Sequence, residues 1–186
     1  KGGMIMKKRL LLPLLMGSFL FSNPVAKAYS EEFSNIDTEK EKIEVNILYN
    51  SYDEEFIKNV VLDDGTKVGD YDYTINYLPT LPGVRSYSIS LYLDYGAWIT
   101  RDGVVSLSMI PKSSVRNNSS TKDTAWSVIS SPTKGFGSDS RWKNTQVMKW
   151  QFDCHYSFAK TKEYWNIEPH RTASNYLQVV ASGCNP

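Results

Sequence analysis

Apolar and polar side chains alternate through much of the chain between residues 43 and 110. Ile43, Val45, Ile47 and Tyr49 alternate with Glu44, Asn46 and Leu48, and Tyr71, Tyr73, Ile75 and Tyr77 alternate with Asp72, Thr74 and Asn76. Tyr87, Ile89, Leu91, Leu93 and Tyr95 keep the same period, and Val105, Leu107 and Met109 resume it before Pro111. A period of two marks a strand with one buried face. Between the last two runs, Arg101-Asp102-Gly103 reads as a hairpin turn, because Asp-Gly tolerates the left-handed backbone that a tight hairpin needs. "AWSVIS" (125–130) and "YLQVVAS" (176–182) predict two further strands. One stretch breaks the pattern. "DEEFIKNVVL" (53–62) sets Phe56 over Val60 and Ile57 over Val61, with acids in its first turn, and predicts a short amphipathic helix ended by "DDG". Residues 111–123 and 131–144 are rich in Ser, Asn, Lys and Gly and predict loops. Together these segments predict a mainly β fold: a single antiparallel β-sandwich or small barrel with one or two short helices.

The cleanest alternation is "VMKWQFDCHYSF" (147–158). Met148, Trp150, Phe152, Cys154, Tyr156 and Phe158 occupy alternate positions, with Lys149, Gln151, Asp153, His155 and Ser157 between them. Read as a strand, the segment turns Cys154 to the core and His155 to the opposite, polar face. Adjacent strand residues do not present a thiolate and an imidazole to one substrate, so this reading disfavours a Cys–His dyad. Gln151, Asp153 and His155 would instead share one face, spaced by about 7 Å.

The N-terminal end has a different composition. Lys7, Lys8 and Arg9 precede the apolar run Leu10–Phe21, followed by small residues at Ala26 and Ala28. That is the layout of a cleaved secretory signal over residues 1–28, and the apolar run is shorter than the roughly twenty residues a bilayer span needs. Residues 29–42, charged and poor in large apolar side chains, read as a flexible acidic leader, and residues 43–186 as one β-rich domain. Without residues 1–28, which carry five basic side chains and no acids, the chain holds 16 basic and 20 acidic residues, a net of −4. This balance argues against a strongly basic surface for nucleic acid. Two cysteines do not make a disulfide framework, but in a secreted protein Cys154 and Cys184 are expected to pair.

Candidate chemistry is concentrated in "EYWNIEPHR" (163–171). Glu168 and Arg171 offer a carboxylate and a guanidinium, and His170 a second imidazole beside that of His155. Such a set could serve acid–base chemistry on a phosphodiester or a glycoside. It could equally be a turn in which Trp165 packs and Asn166 and Glu168 satisfy backbone groups. Two histidines with no further spaced ligands do not make a catalytic zinc site, and no metal or cofactor is expected. The chain lacks a G-x-S-x-G elbow, a phosphate loop and an EF-hand pattern.

"MKWQFDCH", "WNIEPHR" and the "CNP" at 184–186 together resemble the DUF2599-type family of exported bacterial proteins of unknown function, whose pattern runs Q-F-x-C-H, then W-N-L-E-P-W-R-P, then C-N-P. The likeness covers about residues 85–186. It maps the family signature onto Gln151, Phe152, Cys154, His155, Trp165, Asn166, Glu168, Pro169, Arg171 and Cys184-Asn185-Pro186. The chain departs from the pattern at Ile167, His170 and Thr172. The resemblance implies export and a paired disulfide, and it implies no activity.

From these residues the leading expectation is a secreted, non-enzymatic module that binds a surface glycan, wall component or host protein through Gln151, His155, Trp165, Asn166, Glu168 and Arg171. The alternative is a small secreted hydrolase or toxin, with His155 and Glu168 as acid–base groups and Arg171 stabilising negative charge. The Ser/Thr- and aromatic-rich stretch 86–131 would also suit a membrane-inserting hairpin of a pore-forming toxin, a third and weaker reading.

Overall fold

The computed structural model describes residues 41–47, 53–77 and 83–186. The predicted signal segment, its cleavage site and nearly all of the acidic leader lie outside the described residues. Five strands form one sheet in the order β2-β1-β3-β4-β5. They are β1 (Lys42–Ile47), β2 (Asp72–Tyr77), β3 (Leu93–Arg101), β4 (Val104–Pro111) and β5 (Trp165–Ile167). β1 and β2 are parallel, with Lys42 opposite Asp72, and the other three pairings are antiparallel. Six helices accompany them: α1 (Glu54–Lys58), α2 (Gly83–Ser90), α3 (Ser113–Asn117), α4 (Ser119–Ile129), α5 (Thr145–Phe158) and α6 (Tyr176–Ala181). The sheet is mixed and open. The predicted sandwich or barrel is thereby corrected to a single five-stranded sheet with helices.

The early alternations form strands as expected. At the β3–β4 turn, Asp102 and Gly103 both have positive φ, 51° and 77°, the backbone a two-residue primed turn requires. Helix α1 also lies where the sequence places it, with the Asp53 carboxylate accepting from the Phe56 N–H at 2.8 Å as its N-cap.

Three predicted strands are helices instead, and a fourth is helical in its first half. Residues 147–158 belong to α5, whose buried residues are Val147, Met148, Gln151, Phe152, Cys154 and His155. These recur with helical spacing, so the segment satisfies both periods at once. Trp150 and Tyr156, which a strand would bury with Cys154, are only half-buried, and Phe158 is exposed. Its length decides the matter, because a run of this size exceeds the usual strand and suits a helix. "AWSVIS" and part of the predicted loop 111–123 form α4, capped by Asn118, whose side chain accepts from the Thr121 N–H. Lys122, Ala125, Trp126 and Ile129 are its buried stripe. "YLQVVAS" forms α6, which Asn175 caps and Gly183, with φ 68°, follows. The alternation at 87–95 is split, with Ile89 buried on α2, Tyr87 exposed, and β3 beginning at Leu93.

The sheet carries a core on each face. Trp98, Leu107, Met109, Trp165 and Ile167 pack against Ile89 of α2, Ala125, Trp126 and Ile129 of α4, and Met148 and Phe152 of α5. On the other face Ile43, Val45, Tyr95, Ala97 and Ile99 meet Ile57, Val60, Leu62 and Val68 from the α1 region, with Tyr164. The connection after α4 lies tight against that helix. A Cβ on Gly135 would stand 2.0 Å from the Val128 carbonyl oxygen, and one on Gly137 2.0 Å from that of Ser130. Only glycine permits this approach, which inserts Phe136 under Trp98.

Candidate functional site

Strand β5 and the residue after it divide their side chains by period two. Trp165 and Ile167 enter the helix-side core, and Asn166 and Glu168 emerge on the opposite face. There they line a cleft with a floor of Leu62, Ile99 and Val104 and polar walls from Asp63, Arg101 and Ser106. Asp63 reaches this cleft because the chain turns sharply after Leu62. The Leu62 N–H donates to the Thr66 carbonyl at 2.8 Å, and Gly65 takes φ 85°.

Helix α5 fixes Glu168 from beneath. The Gln151 amide donates to the Glu168 carbonyl at 3.0 Å and accepts from the Glu168 N–H at 2.8 Å, so one side chain satisfies both backbone groups. Glu168 is 5% exposed, yet its carboxylate borders the cleft. Arg171 Nε donates to Glu168 Oε2, and His170 Nε2 stands 4.0 Å from the same oxygen. Asp63 lies across from this group. It is exposed as a residue, but its carboxyl turns into the cleft, where burial pushes its pKa up to about 6. The nearby Glu168 charge and a hydrogen bond between the two carboxyls add to that rise, while a hydrogen bond from Asn166 and the charge of Lys162 oppose it.

The second aspartate of "DDG" does something different. Asp64 accepts from the Thr66 hydroxyl at 2.6 Å and backbone N–H at 3.0 Å, and Arg101 Nη1 donates to it at 2.6 Å. Thr66 first, then Arg101, holds the Asp64 carboxyl down at about 2. Ser106 lines the same cleft, and its hydroxyl oxygen is buried without a hydrogen-bond partner among the described residues.

Residues 93–186, half of the chain, match the family described as Protein of unknown function (DUF2599). The chain belongs to the DUF2599 family. An uncharacterized protein of Mycobacterium bovis and uncharacterized proteins of two Mycobacterium tuberculosis strains are each 28% identical to it over 103 residues, 50% of this chain and 65% of the relative. The chain therefore spans less than two thirds of the length of these curated relatives. No solved structure matches it.

Most of the DUF2599 signature holds the fold rather than lining the cleft. His155 is 2% exposed, with Nδ1 bonded to the Gln151 carbonyl at 2.9 Å and its ring 5.9 Å from that of Trp165. Burial pushes its pKa down to about 4. It does not reach the polar face assigned to it in a strand, and the histidine brought to Glu168 is His170. Cys154 is bonded to Cys184, which leaves no thiol for a dyad. Asn185, its amide oriented to donate, reaches Gln151 Oε1 at 3.1 Å and the Asn166 carbonyl at 3.2 Å. Of the signature side chains, Asn166 and Glu168 line the cleft and Arg171 is bonded to Glu168; Gln151, His155 and Trp165 lie behind it.

Sequence reasoning missed Asp63, Arg101 and Ser106, which the sheet order and the "DDG" turn bring to Glu168. It missed Arg116 as well. That guanidinium donates to the carbonyls of Pro111, Lys160, Lys162 and Glu163 and lies 5.2 Å from the Trp165 ring, thereby setting the loop that leads into β5. Among the described residues no group of three or more His, Cys, Asp or Glu could hold a metal ion, and no helix is long and apolar enough to cross a membrane.

Proposed function

We propose that the protein is an exported binding module that takes a hydroxyl-rich ligand, a surface glycan or wall component, in the Asp63–Asn166–Glu168 cleft. The observation that carries this reading is Glu168. A carboxylate removed from water costs free energy unless it is paired; this one is paired with Arg171, its backbone is held by Gln151, and the cleft it borders also presents the Asn166 amide. Carboxylate and amide groups beside apolar side chains are the inventory that orients a polyol. Retention of the protein on insoluble cell-wall polysaccharide tests it. Glu168→Gln and Asn166→Ala are each expected to weaken retention at least tenfold, whereas His155→Phe, which alters only the support behind β5, should bind as the unaltered chain does. Equal retention of all four proteins would sink the reading.

A second reading is favoured by the contact between His170 and Glu168. Under it the acid–base set is Asp63, Glu168 and His170, with Arg171 beside them, and the bound glycan is hydrolysed. Release of reducing ends that Glu168→Gln abolishes would select this reading over simple binding.

A further inference from the structure

Taking the cleft as the ligand site, we infer that the ligand presents a primary ammonium group to the adjoining carboxyls of Asp63 and Glu168. The charges at the cleft lead to this. Glu168 is matched by Arg171, with His170 beyond it at 4.0 Å. Arg101 is matched by Asp64 at 2.6 Å. Asp63 makes no ion pair among the described residues; Lys162 acts on it only through space. One negative charge in the cleft thus lacks a cation.

The hydrogen-bonding groups agree with the charges. An ammonium has three N–H donors and no acceptor. The cleft offers carboxyl acceptors on Asp63 and Glu168. An anionic ligand group would meet two carboxyls. Among the described residues a metal ion would find too few ligands of the kinds that hold one.

In the ligand-free protein Asp63 copes by keeping its proton in mild acid, where its carboxyl titrates at about 6. Arrival of a cation favours the ionised form, so binding releases that proton. Affinity for a ligand amine that stays protonated should then fall about tenfold per pH unit below about pH 6 and level off above it.

Two sources of the group, an amino sugar and a lysine side chain, are separated by isothermal titration at pH 5, 6 and 7. The probes are glucosamine tetramer, its N-acetylated counterpart and lysine amide. The glucosamine tetramer is expected to bind at least tenfold more tightly than the acetylated form, with proton release at pH 5 visible between buffers of different ionisation heat. Asp63→Asn, checked for an intact fold by circular dichroism, should remove both the preference and the pH dependence. Equal affinity for the two tetramers overturns the ammonium inference and leaves the glycan reading standing. Binding of lysine amide alone supports the ammonium and overturns the glycan reading, and no binding of any probe overturns both.

Discussion

Replacing Cys154 and Cys184 together with alanine is expected to lower stability by roughly 3–4 kcal/mol and the melting temperature by about 10 °C. The bridge joins α5 to the tail beyond α6 across a sequence separation of 30. Without it the unfolded chain regains the entropy of an open loop of that length, which sets the magnitude. The folded state loses something too. Cys154, Val179 and Cys184 form a small buried cluster of their own, backed by Trp150, Tyr176 and Val180. Few other contacts hold α6, whose Leu177 is exposed and whose only buried residue is Val179. The tail also carries Asn185 to Gln151 and to the Asn166 carbonyl. The double variant is therefore expected to lose ligand retention along with stability, and reduction of the unaltered protein with dithiothreitol should reproduce both effects. A melting temperature that moves by less than a degree or two on reduction would show that the bridge does not restrain the fold.

The second large effect depends on pH. His155 is held neutral by burial, with a folded pKa of about 4 against an ordinary value near 6.5. The unfolded chain takes up this proton first, so the contribution is fully present above pH 6.5 and is lost as pH falls toward 4. It amounts to roughly 3 kcal/mol at most. Asp63 acts in the opposite sense. Its folded pKa is raised, so its penalty is absent below about pH 4 and grows as pH rises toward 6. The two slopes overlap and partly cancel. Urea unfolding between pH 5 and 7 lies above the range in which Asp64 takes up its proton. The unaltered protein is expected to show a shallow loss of stability on acidification there. Asp63→Asn should steepen that loss, because only the histidine remains, and His155→Phe should remove or reverse it. A His155→Phe protein with the slope of the unaltered chain would place the acid-sensitive group elsewhere.

Particular residues mark how far the sequence could be read. β1, β2 and the β3–β4 hairpin were legible because each carries one period with no competing one, and Asp102-Gly103 can hardly be anything but a turn. The Cys154–Cys184 pair followed from the expectation of export and the number of cysteines. The strand reading of 147–158 failed because alternation and helical spacing coexist there, and Phe158, apolar but exposed, completes a pattern the fold does not use. The same principle applied at 165–168 succeeds, where Trp165 and Ile167 part from Asn166 and Glu168. Half of the cleft was visible in "WNIEPHR". The other half was not, since Asp63, Arg101 and Ser106 are far from it in sequence and meet it only through the order of the strands. No local pattern encodes that meeting.

The amide of Gln151 has a consequence outside the cleft. Among the described residues the sheet ends at β5, three residues long and buried throughout, and a terminal strand left bare would invite a strand from another molecule. At Glu168, just past that strand, an incoming chain would need the N–H and C=O that the Gln151 side chain already occupies. A helix residue thus takes the place of the next strand's backbone and closes this point to assembly. A Gln151→Leu chain would leave both groups bare inside a covered edge, because Gln151 and Glu168 are buried, and urea unfolding should find it less stable by roughly 1–3 kcal/mol for each group.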